Sequence, residues 1–316
     1  NVGVDFALFR HRLSGTIEYY NKYSVDLLAA INGSPTQGFG YTTLMTNNGK
    51  MVNRGVEITL SGEIIRQKDF SWNASLLYAF NRNKVKHISV QPSLWDSRIS
   101  MPTSYPMVGK PLYGIYAYKW AGLNENGDPQ VYDAENNVTS GPARDYHALV
   151  YCGTTVPIHN ASLTNVLRYK GFEFSAMLIL DAGHKLRSSN IPSINMSNGR
   201  ITSTAKGIVD RWTQPGDVTD VPRLLFSNDT ENFNTHRTEL YRYSDLFVYD
   251  ASNISLSNIS LAYRVPAHWC KKISLSGARL QFNVENVATF AFDSKANYDL
   301  GGKVKPNYVW GLYLNF

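Results

Sequence analysis

The sequence predicts an all-β protein, a transmembrane antiparallel β-barrel to which this chain contributes about nine strands. Three observations carry that reading. Tyr308, Trp310, Leu312, Leu314 and Phe316 fall on every second position, so an extended strand sets all five on one face. The same alternation recurs in separate segments along the chain. No run of 18 or more uncharged apolar residues exists, so no transmembrane helix is available. A water-soluble protein seldom leaves such a stripe on an edge strand, which invites aggregation. A lipid-facing barrel wall requires it.

The segments follow in order. Val2, Val4, Phe6 and Leu8 alternate with Gly3, Asp5 and Ala7, and Leu13, Gly15, Ile17 and Tyr19 with Ser14, Thr16, Glu18 and Tyr20. Val56, Ile58 and Leu60 form a third stripe, and Trp72, Ala74, Leu76, Tyr78 and Phe80 a fourth. A weaker strand covers 159–169, followed by Phe172, Phe174, Ala176, Leu178 and Leu180. Ile254 and Leu256 lie on one parity and Ile259, Leu261 and Tyr263 on the other, which predicts a β-bulge near Ser257 and Asn258. Ala278, Leu280, Phe282 and Val284 then oppose Arg279, Gln281, Asn283 and Glu285. These four polar residues cannot face lipid, so they are expected on a wet bore.

The connections alternate in length. Short turns are expected at 10–12, 65–69, 169–171 and 265–272, and long excursions at approximately 31–53, 84–156, 182–251 and 288–305. Short turns on one rim and long loops on the other is the plan of outer-membrane barrels, with the long loops outside. Cys152 then belongs to the outer rim and Cys270 to a periplasmic turn. A hydrocarbon layer of about 25 Å separates those rims, beyond the reach of a disulfide. About nine strands cannot close a bacterial barrel, whose open edges would leave backbone groups unpaired in lipid. The remaining strands are expected from sequence upstream.

Composition narrows the function. The net charge of +6 is mild over 316 residues and suits anionic lipid or an anionic solute. No basic block points to nucleic acid. Neither a nucleophile elbow, a zinc-protease motif nor a phosphate-binding loop is present, and the histidines are scattered, so no catalysis, cofactor or metal is expected. Arg279, Gln281, Asn283 and Glu285 could line a solute path or form a static hydrogen-bonded lining. Trp95, Tyr105, Trp120, Tyr151 and Trp212 sit in the outer excursions, where aromatic faces can stack on sugars or peptide side chains. They can equally pack the loops together.

Longer stretches carry a resemblance. They include "YNKYSVDLL", "TNNGKMVNRGVEITL", "YGIYAYKWAGLNENGDPQVYD", "DRWTQPGDVTDVPRL" and "YRYSDLFVYDASNISLSNISLAYRVPAHW", in that order. Together they resemble the C-terminal part of SusC-like TonB-dependent outer-membrane transporters of the Bacteroidetes. The family's acidic, calcium-loop-like stretch is replaced here by Asp133-Ala-Glu-Asn-Asn-Val-Thr. The resemblance implies a barrel of roughly 22 strands, with a plug and the first strands in an N-terminal part outside this chain. It implies TonB contact through that part and a SusD-like surface lipoprotein as lid. Outer-membrane lipid and lipopolysaccharide would surround the wall, and the cargo would be an oligosaccharide or peptide. Asp210, Arg211 and Trp212 would open a segment over the pore mouth. A passive porin or adhesin barrel, a hydrolase built into a barrel and a soluble sugar-binding module are the alternatives.

Overall fold

A computed structural model describes residues 1–316 apart from 33–35, 37, 39–42, 90–96, 142–144, 197–204, 227–234 and 301–304. Nine long strands form one antiparallel sheet. They are β1 (Val2–Leu8), β2 (Leu13–Asn32), β3 (Thr43–Arg66), β4 (Phe70–His87), β10 (His159–Tyr169), β11 (Phe172–Ala182), β16 (Asn253–Arg264), β17 (Gly277–Ala291) and β18 (Asn307–Asn315). Each pairs with its neighbour in that order, so β1 and β18 are the free edges. Nine short strands occupy the excursions. The first comprises β5 (Gly114–Tyr118), β6 (Trp120–Leu123), β7 (Pro129–Tyr132), β8 (Val138–Thr139) and β9 (Leu149–Thr154). The second comprises β12 (Lys185–Arg187), β13 (Asn195–Met196), β14 (Leu225–Phe226) and β15 (Val248–Asp250).

Register turns the separate stripes into two continuous faces. One row runs Phe6, Gly15, Leu60, Leu76, Leu163, Leu178, Leu256 and Ala288. The adjacent row on the other face runs Ser14, Ser61, Ser75, Thr164, Met177, Asn258, Glu285 and Asn307. The first face meets lipid and the second the bore, because hydrocarbon cannot solvate the second. Against β11 the register shifts between Leu256 and Asn258, so Ser257 is the extra residue; against β17, Asn286 and Val287 stand opposite Ser257, so there β17 carries the extra residue. That bulge keeps Ile254, Leu256, Ile259 and Leu261 on the apolar side. Asn165 also lies on this face, where its amide oxygen accepts from the Trp72 indole N–H at 3.1 Å.

On β4, Phe70 and Phe80 bound the apolar stripe. Ten steps of about 3.3 Å, tilted by about 45°, rise roughly 23 Å, which matches the apolar band of about 25 Å. The β2–β3 hairpin continues well above it. The excursion expected at 31–53 is therefore largely ladder, with pairing from Tyr23–Val52 to Asn32–Thr43. Beyond lipid both faces are wetted, so the apolar alternation that marks a strand fades while the backbone pairing persists. The expected short turn at 265–272 extends to 276 and holds a helical turn, Ala267–Lys271. Cys152 and Cys270 are both free thiols.

Candidate functional site: the bore wall and the outer loop body

The bore side of β10, β11, β16 and β17 is built around Glu173. Its carboxylate accepts from Arg168 at 2.7 Å and from Arg279 at 3.1 Å. Ala262 stands between Glu173 and Gln281 in the register, and its small side chain lets Arg279 reach across. Gln281 donates to Asn283 Oδ1 at 2.9 Å and to Ser260 Oγ at 3.3 Å. Glu285 is exposed toward the bore and takes part in no ion pair among the described residues. The structure thus links Arg279, Gln281 and Asn283 to neighbours on the wall and leaves Glu285 facing open space.

Above the wall, the excursions 88–158 and 183–252 pack into one loop body. Its core holds Tyr116, Tyr118, Val131, Leu149 and Leu240, with Ile194, Tyr241 and Phe247 forming a second cluster. Arg237 is 3% exposed and ties the two excursions together. Its Nε donates to Asp128 at 3.1 Å, and its terminal nitrogens donate to the Ile194 and Arg223 carbonyls and to Asn195. Arg223 meets the same Asp128 with two bonds, at 3.0 and 2.8 Å. Burial lowers the Arg237 pKa, and Asp128 opposes that shift. A second guanidinium, Arg187, donates to the carbonyls of Tyr116, Arg242 and Ser244. Sequence reasoning singled out neither arginine. Asp128 lies 109 residues from Arg237, and no local spacing announces such a pair.

The loop aromatics are drawn into this packing. Trp120 packs against both clusters and donates its indole N–H to Asp220 at 3.0 Å. Tyr151 contacts Tyr116, and Lys110 Nζ sits 4.8 Å from its ring centre. Trp212 lies directly over Gly127, whose φ of +75° and missing side chain make room for the indole. Tyr105 is half-buried, and its carbonyl accepts from Arg98. Trp95 lies outside the described residues. Burial pushes the Cys152 thiol up to about 11, which keeps it protonated and unreactive.

An apolar cavity of about 250 Å3 opens between the raised β2–β3 hairpin and the start of the first excursion, lined by Leu27, Leu28, Met45, Met51, Val85 and Leu112 among others. The departure after residue 132 is a turn. Asp133 Oδ1 accepts from the amides of Glu135 and Asn137, which occupies the carboxylate. Among the described residues no group of three His, Cys, Asp or Glu side chains could hold a metal.

The family model for the TonB-dependent receptor-like β-barrel matches residues 1–287. The chain belongs to that family. As a TonB-dependent receptor barrel it is an outer-membrane protein, and its family is one of transporters rather than enzymes. It is 25% identical to TonB-dependent receptor P3 of Formosa agariphila, over 99% of this chain and 32% of that one. It is 23% identical to TonB-dependent receptor SusC of Bacteroides thetaiotaomicron, over 90% of this chain and 28% of that one. The chain therefore spans about a third of the length of these receptors. The RagAB peptide transporter superposes on 99% of this chain and 34% of its own, with a TM-score of 0.73 at 22% identity, a likeness of fold.

Proposed function

We propose that this chain forms wall and outer loops of an importer that carries peptide across the outer membrane, driven through TonB by parts of the receptor outside the chain. A SusD-like lipoprotein docks on the loop body as a lid, and cargo is held between lid and bore. The single observation that carries the peptide reading is the apolar cavity beneath the β2–β3 hairpin, at about 250 Å3 a fit for one large hydrophobic side chain. The engagement of Trp120, Tyr151 and Trp212 in packing supports it, since a sugar would need free aromatic faces. Arg279, Gln281, Asn283 and Glu285 line the path below, with Glu285 the residue open to solute. The loop body, locked by Arg237, offers the lid a rigid platform.

Uptake by cells carrying the full-length receptor tests this. Labelled oligopeptides with a hydrophobic residue should enter in a TonB-dependent manner, and Met45→Asp or Leu28→Asp should lower uptake several-fold. Entry of oligosaccharide but not peptide would overturn the cargo reading. Entry that persists without TonB would leave a passive pore.

A further inference from the structure

The lipid side of the wall carries a cluster of cations just above its apolar band. Arg54 on β3 and Arg82 on β4 are direct cross-strand partners, and Lys84 stands opposite Val52 one pair further up on the same face. This is the face of Val56 and Phe80, the one that meets lipid. All three cations are exposed. Like charges placed directly opposite destabilise an antiparallel pair. Arg54 donates to Asn21 Oδ1 at 3.1 Å, a neutral partner. No ion pair among the described residues joins any of the three to a carboxylate.

Their height is specific. Phe80 closes the apolar stripe of β4, so Arg82 and Lys84 sit one and two outward positions above the hydrocarbon boundary, at the level of lipid headgroups. Tyr19 and Tyr23 flank them on β2 at 50% and 57% exposure, as an interfacial collar does. Arg82 also opens onto a cavity of about 140 Å3 that it shares with Lys110, Tyr151 and Pro157. The outward ladder positions at the opposite rim, Phe70, Trp72, Tyr169, Phe172 and Tyr263, carry aromatics and no cation.

We propose that Arg54, Arg82 and Lys84, with Lys110 beside them, bind the phosphate of a glycolipid headgroup in the outer leaflet. A phosphate between Arg54 and Arg82 turns their mutual repulsion into two charge-assisted contacts, since guanidinium groups match phosphate geometry. The ligand is a membrane lipid rather than free phosphate because Val56 and Phe80 lie immediately below, where its acyl chains run.

The test uses the detergent-solubilised full-length receptor and native mass spectrometry. The probes are lipopolysaccharide, the same lipopolysaccharide stripped of phosphate, and inorganic phosphate. The receptor should retain phosphorylated lipid about tenfold better than stripped lipid, with inorganic phosphate a weak competitor. The triple variant R54Q/R82Q/K84Q should lose the preference. Equal retention of both lipids by the unaltered receptor, or a preference that survives in the triple variant, would overturn the site. Inorganic phosphate binding as tightly as the lipid would overturn the assignment to a lipid. Should the triple variant fail to assemble, a photo-crosslinker replacing Tyr23 should capture phosphorylated lipid, and failure to capture it would equally overturn the proposal.

Discussion

Arg237 shows what a single residue does in this chain. Its guanidinium is almost wholly buried and shares Asp128 with Arg223, so it joins segments that composition alone would leave as separate loops. Removing a buried charged partner costs more than the net value of the pair, because the groups left behind lose their compensation. Arg237→Met should therefore destabilise the loop body by about 3 kcal/mol. The loss would be read as faster hydrogen exchange at 128–131 and 194–196, with the barrel ladder unchanged. Asp250 makes a prediction in pH. Burial alone would raise its pKa, but Ser252 and Lys185 donate to it and bring it down to about 2. A depressed carboxyl contributes stability that is complete above its ordinary value near 4 and is lost as pH falls toward 2. Protection of β12 and β15, corrected for intrinsic exchange, should be flat above pH 4 and fall below it, and Asp250→Asn should abolish that dependence. At this scale the sequence was least legible. Arg279, Gln281, Asn283 and Glu285 could be assigned to the bore by parity, but the partners of Trp120 and Trp212 depend on residues distant along the chain.

Elements were far more legible, because a strand in lipid must alternate. The predicted bounds of β10, 159–169, are those observed, and the phase slip between Leu256 and Ile259 marked the bulge at Ser257. The same logic fails where lipid ends. Thr43, Thr46, Asn47 and Gly49 show no apolar alternation, yet the hairpin remains paired there, since backbone hydrogen bonds ask nothing of side chains in water. Side-chain demands return within the band. Phe282→Arg should cost up to about 2–4 kcal/mol in barrel assembly and Leu280→Arg, paired with Tyr263 nearer the rim, less, measured by equilibrium folding of the full-length receptor into bilayers. Gln281→Arg between them should be mild. Equal costs at all three positions would mean that the two faces of β17 are not in different solvents.

On the scale of the whole molecule, nine strands make an open wall whose first and last members are unpaired at their outer edges. Such edges cannot stand in hydrocarbon, which agrees with a chain spanning about a third of its relatives. The wall sorts its connections by side, with tight turns below and a packed loop body above. Composition hinted at the bilayer partner through the positive balance, and the structure localises part of that balance to the lipid-facing cations above Phe80. Everything functional inherits its orientation from one property, the assignment of the two faces to two solvents. The direct measurement is a cysteine scan of 278–285 in the full-length receptor in its membrane, in a background lacking Cys152 and Cys270. Spin labels at Ala278, Leu280, Phe282 and Val284 should relax with oxygen dissolved in the acyl chains. Labels at Arg279, Gln281, Asn283 and Glu285 should respond to a water-soluble nickel chelate or be shielded by protein within the bore. A profile without a two-residue period, or one with the polar positions in lipid, would contradict the barrel wall described above.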